Sequence, residues 1–283
     1  MVKELKNLMK DKELGNKTTE VRLLLYEKTI VPSMTYNLEM WSNMRKGDWQ
    51  RIEKVQAKSI KTMFSLPPGR PYWGMLGEIG IWPLQEVVNY HRLMYFHSRI
   101  TTEEDALSKQ IMKGQRELEG KNWTKETEEV GRGYKIDMRE EKMEKKTKRE
   151  WKKEIKTAIQ KKVEEQWKGK SKEMKKMRHV RKGRYGMKEY LKETTTEKAG
   201  EYLRVKLEMR DIGNNQGNGR KCECGKEEEI EHIMECKMIR KRLKDAIKIE
   251  DIESEEKRKM ERVKIWLDKY TEMRERDEER KEN

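Results

Sequence analysis

Apolar residues are scarce in this 283-residue chain. They make up 33% of it and charged residues 43%, against roughly 45–50% and about 25% in ordinary globular proteins. A single thick core is therefore excluded, and long solvated helices with narrow apolar stripes fit the composition better. There are only two Phe and five Pro. No stretch approaches the roughly 18 consecutive apolar residues that a membrane-crossing helix needs. The charged start Met1-Val-Lys-Glu-Leu-Lys lacks the apolar segment of a signal peptide. These absences predict a soluble intracellular protein, nuclear or cytoplasmic, with no membrane partner. Cysteine is limited to three residues, all near one histidine. An odd, clustered set argues against a disulfide framework and for metal binding in a reducing compartment.

The usual equipment of catalysis is missing too. There is no Gly-rich phosphate loop of the Walker type and no Ser or Cys nucleophile beside a plausible base. A polymerase or nuclease brings carboxylates together on divalent metals from strand ends or a tight hairpin. Here the adjacent acids, Glu103 to Asp105, Glu250-Asp251 and Asp277 to Glu279, lie in polar runs without a strand pattern. No catalytic residue, no organic cofactor and no small-molecule substrate is expected.

What the chain has is positive charge, unevenly placed. The net charge is +15, and residues 142–184 alone hold 19 basic against 6 acidic side chains. A stretch of this kind attracts polyanions. Within it Trp151, Ile155, Ile159, Val163 and Trp167 recur every four residues. That spacing puts an apolar stripe on a helix whose other faces carry lysine, so one face docks on the rest of the protein while another meets phosphates. Lys175 to Arg184 also matches a nuclear localisation pattern.

Along the chain, five segments are expected. Residues 1–100 form a compact helical domain. Its first helix opens at Thr19 and is kinked or ended at Pro32; a second short one starts at Ser33. A third, capped by Asp48, carries Trp49, Ile52, Val55, Ile60 and Met63. After Pro67-Pro68-Gly69-Arg70-Pro71 a short helix ends at Gly80. Pro83 then begins another, with Leu84, Val87, Val88, His91, Met94 and Tyr95 on one face. His91 and His97 are expected as hydrogen-bonded core residues. Trp41, Trp49, Trp73, Trp82 and Tyr95 are expected as core packing, with base stacking the alternative. Residues 101–137 form a linker with one short element after Asn122-Trp123, and residues 138–212 a basic helical connector. Residues 213–240 form a metal knuckle. Residues 241–283 form a charged helix that frays from Arg274 onward.

The knuckle is the most specific signal. Cys222 and Cys224 precede Gly225, and His232 and Cys236 follow within fifteen positions of the first thiol. Four S and N donors at such spacing suit one structural zinc ion, with glycine turning the chain after the second thiolate. The alternative is a loop of free thiols.

Three stretches resemble the C-terminal part of non-LTR (LINE-type) retrotransposon reverse transcriptases. The first is Arg22 to Pro32 with Tyr36-Asn37-Leu38-Glu39-Met40-Trp41, similar to that family's thumb entry, with Asn37 where the family has Gly. The second is Ile52 to Leu66 followed by Leu76-Gly77-Glu78-Ile79-Gly80-Ile81-Trp82-Pro83-Leu84. The third is Tyr190-Leu191, Arg204 to Arg210 and the Cys222 to Cys236 cluster, which has one and three residues between cysteines and before the last ligand where the family has two and four. The resemblance implies an all-α fold: a helical thumb-like domain, long charged helices and a small CCHC zinc knuckle. It implies that the fingers, the palm with its paired aspartates, and the endonuclease lie outside these residues, so that upstream polymerase domains are possible partners. It also implies a non-catalytic grip on primer-template, element RNA or target DNA. Lys145, Lys146, Lys148, Arg149, Lys152, Lys153 and Lys156 would contact phosphates, and Cys222, Cys224, His232 and Cys236 would hold zinc. Two alternatives stay open: a charged helical scaffold whose knuckle binds protein, and a relic translation product without a partner.

Overall fold

The computed structural model describes residues 18–67, 71–174, 177–192, 194–209 and 221–282. Among these the structure is all-helical, with two isolated β-bridges, Thr18 to Thr195 and Lys221 to Glu227. No helix is long and apolar enough to cross a membrane. In chain order the helices are α1 (Thr19–Leu25), α2 (Val31–Thr35), α3 (Lys46–Met63), α4 (Tyr72–Ile79), α5 (Leu84–Ile100), α6 (Leu107–Glu117) and α7 (Trp123–Gly133). They continue with α8 (Glu140–Glu144), α9 (Lys148–Glu173), α10 (Thr196–Lys206), α11 (Ile230–Glu235), α12 (Lys237–Leu243), α13 (Ile249–Glu253) and α14 (Lys257–Glu282). The chain divides into two compact units. Among the described residues, one comprises those within 18–24, 59–81 and 167–282, the other those within 25–58 and 82–166.

Pro32 acts as its chemistry dictates. It has no N–H to give and its ring crowds the carbonyl four residues back. The backbone widens into a π-helical turn, Tyr26–Ile30, just before it, and Pro32 then sits in the first turn of α2. Only Tyr26, Ile30 and Val31 of this stretch are buried apolar residues in the 25–58 and 82–166 unit; Val21, Leu24 and Leu25 are exposed. The helix expected from Ser33 is split: Ser33 and Met34 belong to α2, and Leu38–Met40 form a separate 3₁₀ turn. Asn37 ahead of it is left-handed, with φ 57°. Asp48 does not cap α3 from outside. It lies inside the first turn, and its carboxylate accepts from the Arg45 N–H at 3.1 Å.

The core of this unit turns on α5. Buried Gln56 uses both ends of its amide, donating to Trp82 O at 2.9 Å and accepting from Leu84 N at 3.0 Å. It thereby satisfies one of the N–H groups that the start of a helix leaves unpaired. Leu84, Val88, Leu93, Phe96, His97 and Ile100 face inward, whereas Tyr95 and His91 are exposed. The buried face is thus rotated from the expected one, because Asn89 and Arg92 are buried by polar partners: Asn89 donates to Tyr134 Oη at 2.7 Å and Arg92 to Glu39 O at 3.0 Å. Trp41 is 59% exposed, which corrects its expected place in the core. Residues 101–137 hold two helices, α6 and α7, rather than one short element.

In the other unit, α4, α10 and α14 each bury several side chains. Trp167, Tyr190, Tyr202 and Trp266 are almost fully buried there. The N–H of Thr19 donates to Thr194 O at 2.8 Å, tying the start of α1 to the entry of α10. Thr195 caps α10, its side chain accepting from Lys198 N. α14 runs to Glu282 without the fraying expected from Arg274, because Arg274 pairs with buried Glu228 at 3.0 Å and Asp277 with Arg242 at 2.8 Å.

Candidate metal centre and basic helical face

The backbone builds the knuckle in two steps. Cys222 N donates to Lys226 O and Gly225 N to Cys222 O, both at 2.8 Å, so residues 221–227 close a tight turn. Gly225 sits at φ 85°, a conformation that glycine adopts without a Cβ penalty. The chain then enters α11, which carries His232, and Cys236 lies between α11 and α12 as the cap of the second. Cys236 N donates to His232 O at 2.8 Å, which fixes the spacing of these two residues. Ile230, Ile233, Met234 and Ile239 are buried beneath them.

The four expected ligands come together. One donor atom from each of Cys222, Cys224, His232 and Cys236 lies within 4.8 Å of all the others, close enough to share a metal ion. Cys222 Sγ and Cys236 Sγ are 3.8 Å apart, and Cys224 Sγ is 3.1 Å from His232 Nε2. Cys222 and Cys236 are buried and Cys224 is exposed. Burial and the neighbouring thiols push the Cys222 thiol up to about 11. Burial also raises Cys236, but the amides of Ile239 and Met238 and the other two thiols outweigh it and bring the group below its ordinary value. Cys236 is therefore the more acidic thiol of the pair, and a bound metal ion would displace the protons of both.

The basic face is set by α9. Thr147 and Glu150 form a reciprocal cap: Thr147 N donates to Glu150 Oε2 at 2.8 Å and Glu150 N to Thr147 Oγ1 at 3.3 Å. Trp151, Ile155, Ile159, Val163 and Trp167 are all fully buried, as the four-residue spacing predicts. Trp151 Nε1 donates to Leu93 O at 3.0 Å. Lys145, Lys148, Arg149, Lys152, Lys153 and Lys156 are exposed. Lys146 differs: it is half-buried, pairs with Glu154 at 2.5 Å and lies over the Trp151 ring. Both acids of this stretch are thus engaged, Glu154 by Lys146 and Glu150 by Thr147, and hydrogen bonds from Thr147 hold the Glu150 carboxyl below its usual range. Of the localisation-like run, Lys175 and Lys176 lie outside the described residues, as does Arg210 of the third family-like stretch.

One polar cluster escapes any reading of local pattern. Arg178 and His179, Glu208 and Glu231 converge from three separate stretches. No spacing rule links residues so far apart, and His179 looked only like part of a basic run.

No protein-family model, curated protein or solved structure matches this chain.

Proposed function

We propose that this chain is a nucleic-acid-binding, non-catalytic region of a non-LTR retrotransposon reverse transcriptase, gripping phosphates with α9 and stabilised by one zinc ion in the knuckle. The observation that carries this reading is the division of labour on α9. The stripe is wholly buried, Lys148, Arg149, Lys152 and Lys153 project into solvent, and the interleaved acids are occupied within the protein. Exposed lysines beside acids engaged within the protein present a mainly positive face to a polyanion.

Three further observations support it. Asn37, at the position where the resemblance expects glycine, has the left-handed backbone that glycine favours and asparagine tolerates. Two of the family-like stretches touch: Tyr190 Oη donates to the buried Glu78 carboxylate, and Lys188 N donates to Glu78 O at 3.1 Å. The knuckle donors fit zinc, since tetrahedral thiolates about 2.3 Å from the ion stand about 3.8 Å apart. Cys222 and Cys236 have that separation. A closed set of four protein ligands is the structural rather than the catalytic kind of zinc site.

A second reading, a scaffold for another protein, draws on the exposed Tyr36, Met40 and Trp41. The backbone of their loop is held firmly, with Glu39 O accepting from Trp123 Nε1 at 2.7 Å and Asn43 N donating to Glu126 at 3.0 Å. The deciding experiment is anisotropy titration of labelled single-stranded RNA and an RNA–DNA hybrid with the wild type and a Lys148→Glu, Arg149→Glu, Lys152→Glu, Lys153→Glu variant. The expected result is binding by the wild type and at least a tenfold loss in the variant at unchanged helical content. Equal affinity of the two proteins would sink the nucleic-acid reading.

A further inference from the structure

His179 follows α9 in a turn, is 3% exposed, and has an Nε2 atom with no hydrogen-bond partner. That atom lies 3.3 Å from Glu208 Oε1 and 3.7 Å from Glu231 Oε1. Glu208 is itself buried, just beyond the end of α10. Glu231 stands in the first turn of α11, next to His232, and its Oε2 is also buried without a hydrogen-bond partner. One donor atom from each of the three residues lies within 4.8 Å of the other two.

Orphaned buried polar atoms are uncommon, and two in one cluster, His179 Nε2 and Glu231 Oε2, call for an ion or water. Arg178 accounts for part of the arrangement. Its Nε is 2.6 Å from both Glu208 Oε1 and Glu231 Oε1, its Nη2 is 3.1 Å from Glu208 Oε2, and its Nη1 is 3.7 Å from Glu229. It does nothing for the imidazole. Burial, with Arg178, Lys206, Arg181 and Lys182 nearby, pushes His179 down to about 4, so at neutral pH the ring is uncharged and keeps a free lone pair. In the tautomer that leaves Nε2 bare, its lone pair faces carboxylate oxygens and is repelled unless a cation joins them. Neutral imidazole with two carboxylates is a donor set for zinc and its first-row neighbours.

We propose that His179, Glu208 and Glu231 bind a divalent first-row cation, zinc in the first instance, at a second site beside the Cys3His knuckle, with Arg178 retained as an outer partner of the carboxylates. Adjacent residues of α11, Glu231 and His232, then each serve a different ion. The surrounding cationic side chains weaken this site, so it empties before the knuckle when a chelator is added.

The test is cobalt(II) titration of the full chain, with zinc content by elemental analysis as a parallel count. Cobalt in the knuckle gives intense thiolate charge-transfer absorption, and cobalt on nitrogen and oxygen gives only weak ligand-field bands. Two equivalents are expected, the second adding no charge-transfer intensity. His179→Ala and Glu231→Gln should each remove that second equivalent and leave the first. Should His179→Ala lose its helical content, Glu231→Gln decides, since that side chain is 26% exposed and tolerates a neutral isostere. A single equivalent with full charge transfer overturns the proposal, as does a second equivalent that survives both variants, or no binding at all. A single equivalent without charge transfer, removed by Glu231→Gln, upholds it and refutes the knuckle instead.

Discussion

The indole of Trp167 lies against the bare Cα of Gly77, so closely that a Cβ on residue 77 would fall inside the ring's nitrogen edge. Gly77 lies in α4, and both residues are buried in the same unit. Overpacking a filled core costs about 1–3 kcal/mol. Gly77→Ala should therefore lower unfolding free energy by roughly that amount, read by urea denaturation followed by circular dichroism. Trp167→Phe in the same chain should recover part of the loss. Equal stability of Gly77→Ala and wild type would show that the helix and indole separate without cost.

How much of this contact was legible is instructive. Trp167 was readable as the last member of a four-residue period, and Gly77 as part of a family-like stretch, but nothing in either stretch paired them. The period itself hid something. Four residues advance an α-helix by about 400°, so each step of the stripe drifts about 40° around the axis. The line from Trp151 to Trp167 winds instead of running straight, and α9 gives Trp151 to Val163 to one unit and Trp167 to the other. The knuckle was legible because its four ligands are close in sequence and glycine marks its turn. The face of α5 was misread because Asn89 and Arg92 are buried through hydrogen bonds, which hydrophobic periodicity does not register. Trp41 was misplaced for the converse reason: its loop is anchored by backbone groups, leaving the side chain free to face solvent.

Metal removal gives a localised prediction. The Cys222 side chain, Ile239 and Tyr270 line one small cavity, and Glu228 and Arg242 tie the knuckle to α14. Chelation, or Cys222→Ser with Cys236→Ser, should raise amide exchange across residues 222–239 and in α14 around residues 266–274. Residues of α5 should stay protected. Unchanged exchange in the knuckle after chelation would mean that the thiols hold no ion.

His97 makes the stability of its unit depend on pH. Its ring stacks on Trp151 at 5.1 Å, and its Nε2 is 3.1 Å from Lys146 O. Burial lowers its pKa against opposing hydrogen bonds to the Lys146 and Met143 carbonyls, with the Lys146 charge adding a little. Because the folded value lies below the unfolded one of about 6.5, the unfolded chain binds more protons in that range. Stability is then fully present above about 6.5 and falls as pH drops below it, by at most about 1.4 kcal/mol per pH unit for one group. His97→Phe should keep the stack and flatten this part of the profile. A wild-type profile already flat between pH 7 and 5 would show that His97 stays neutral in both states or charges freely in the fold.

The basic face makes the last prediction, and it separates binding by α9 from binding by net charge alone. Each phosphate neutralised on duplex adds about 0.9 to the slope of log affinity against log salt. Lys145, Lys148, Arg149, Lys152, Lys153 and Lys156 are exposed, whereas Lys146 is already paired with Glu154. A slope of roughly four to five is expected if most of these six engage a duplex. Single substitution of Lys152 or Lys153 by Ala should lower the slope by about one. Lys146→Ala should scarcely change it, since that ammonium is spent on Glu154 and Trp151. If Lys146→Ala and Lys153→Ala lowered the slope equally, or neither lowered it, phosphate contact would have to lie on a different part of the chain.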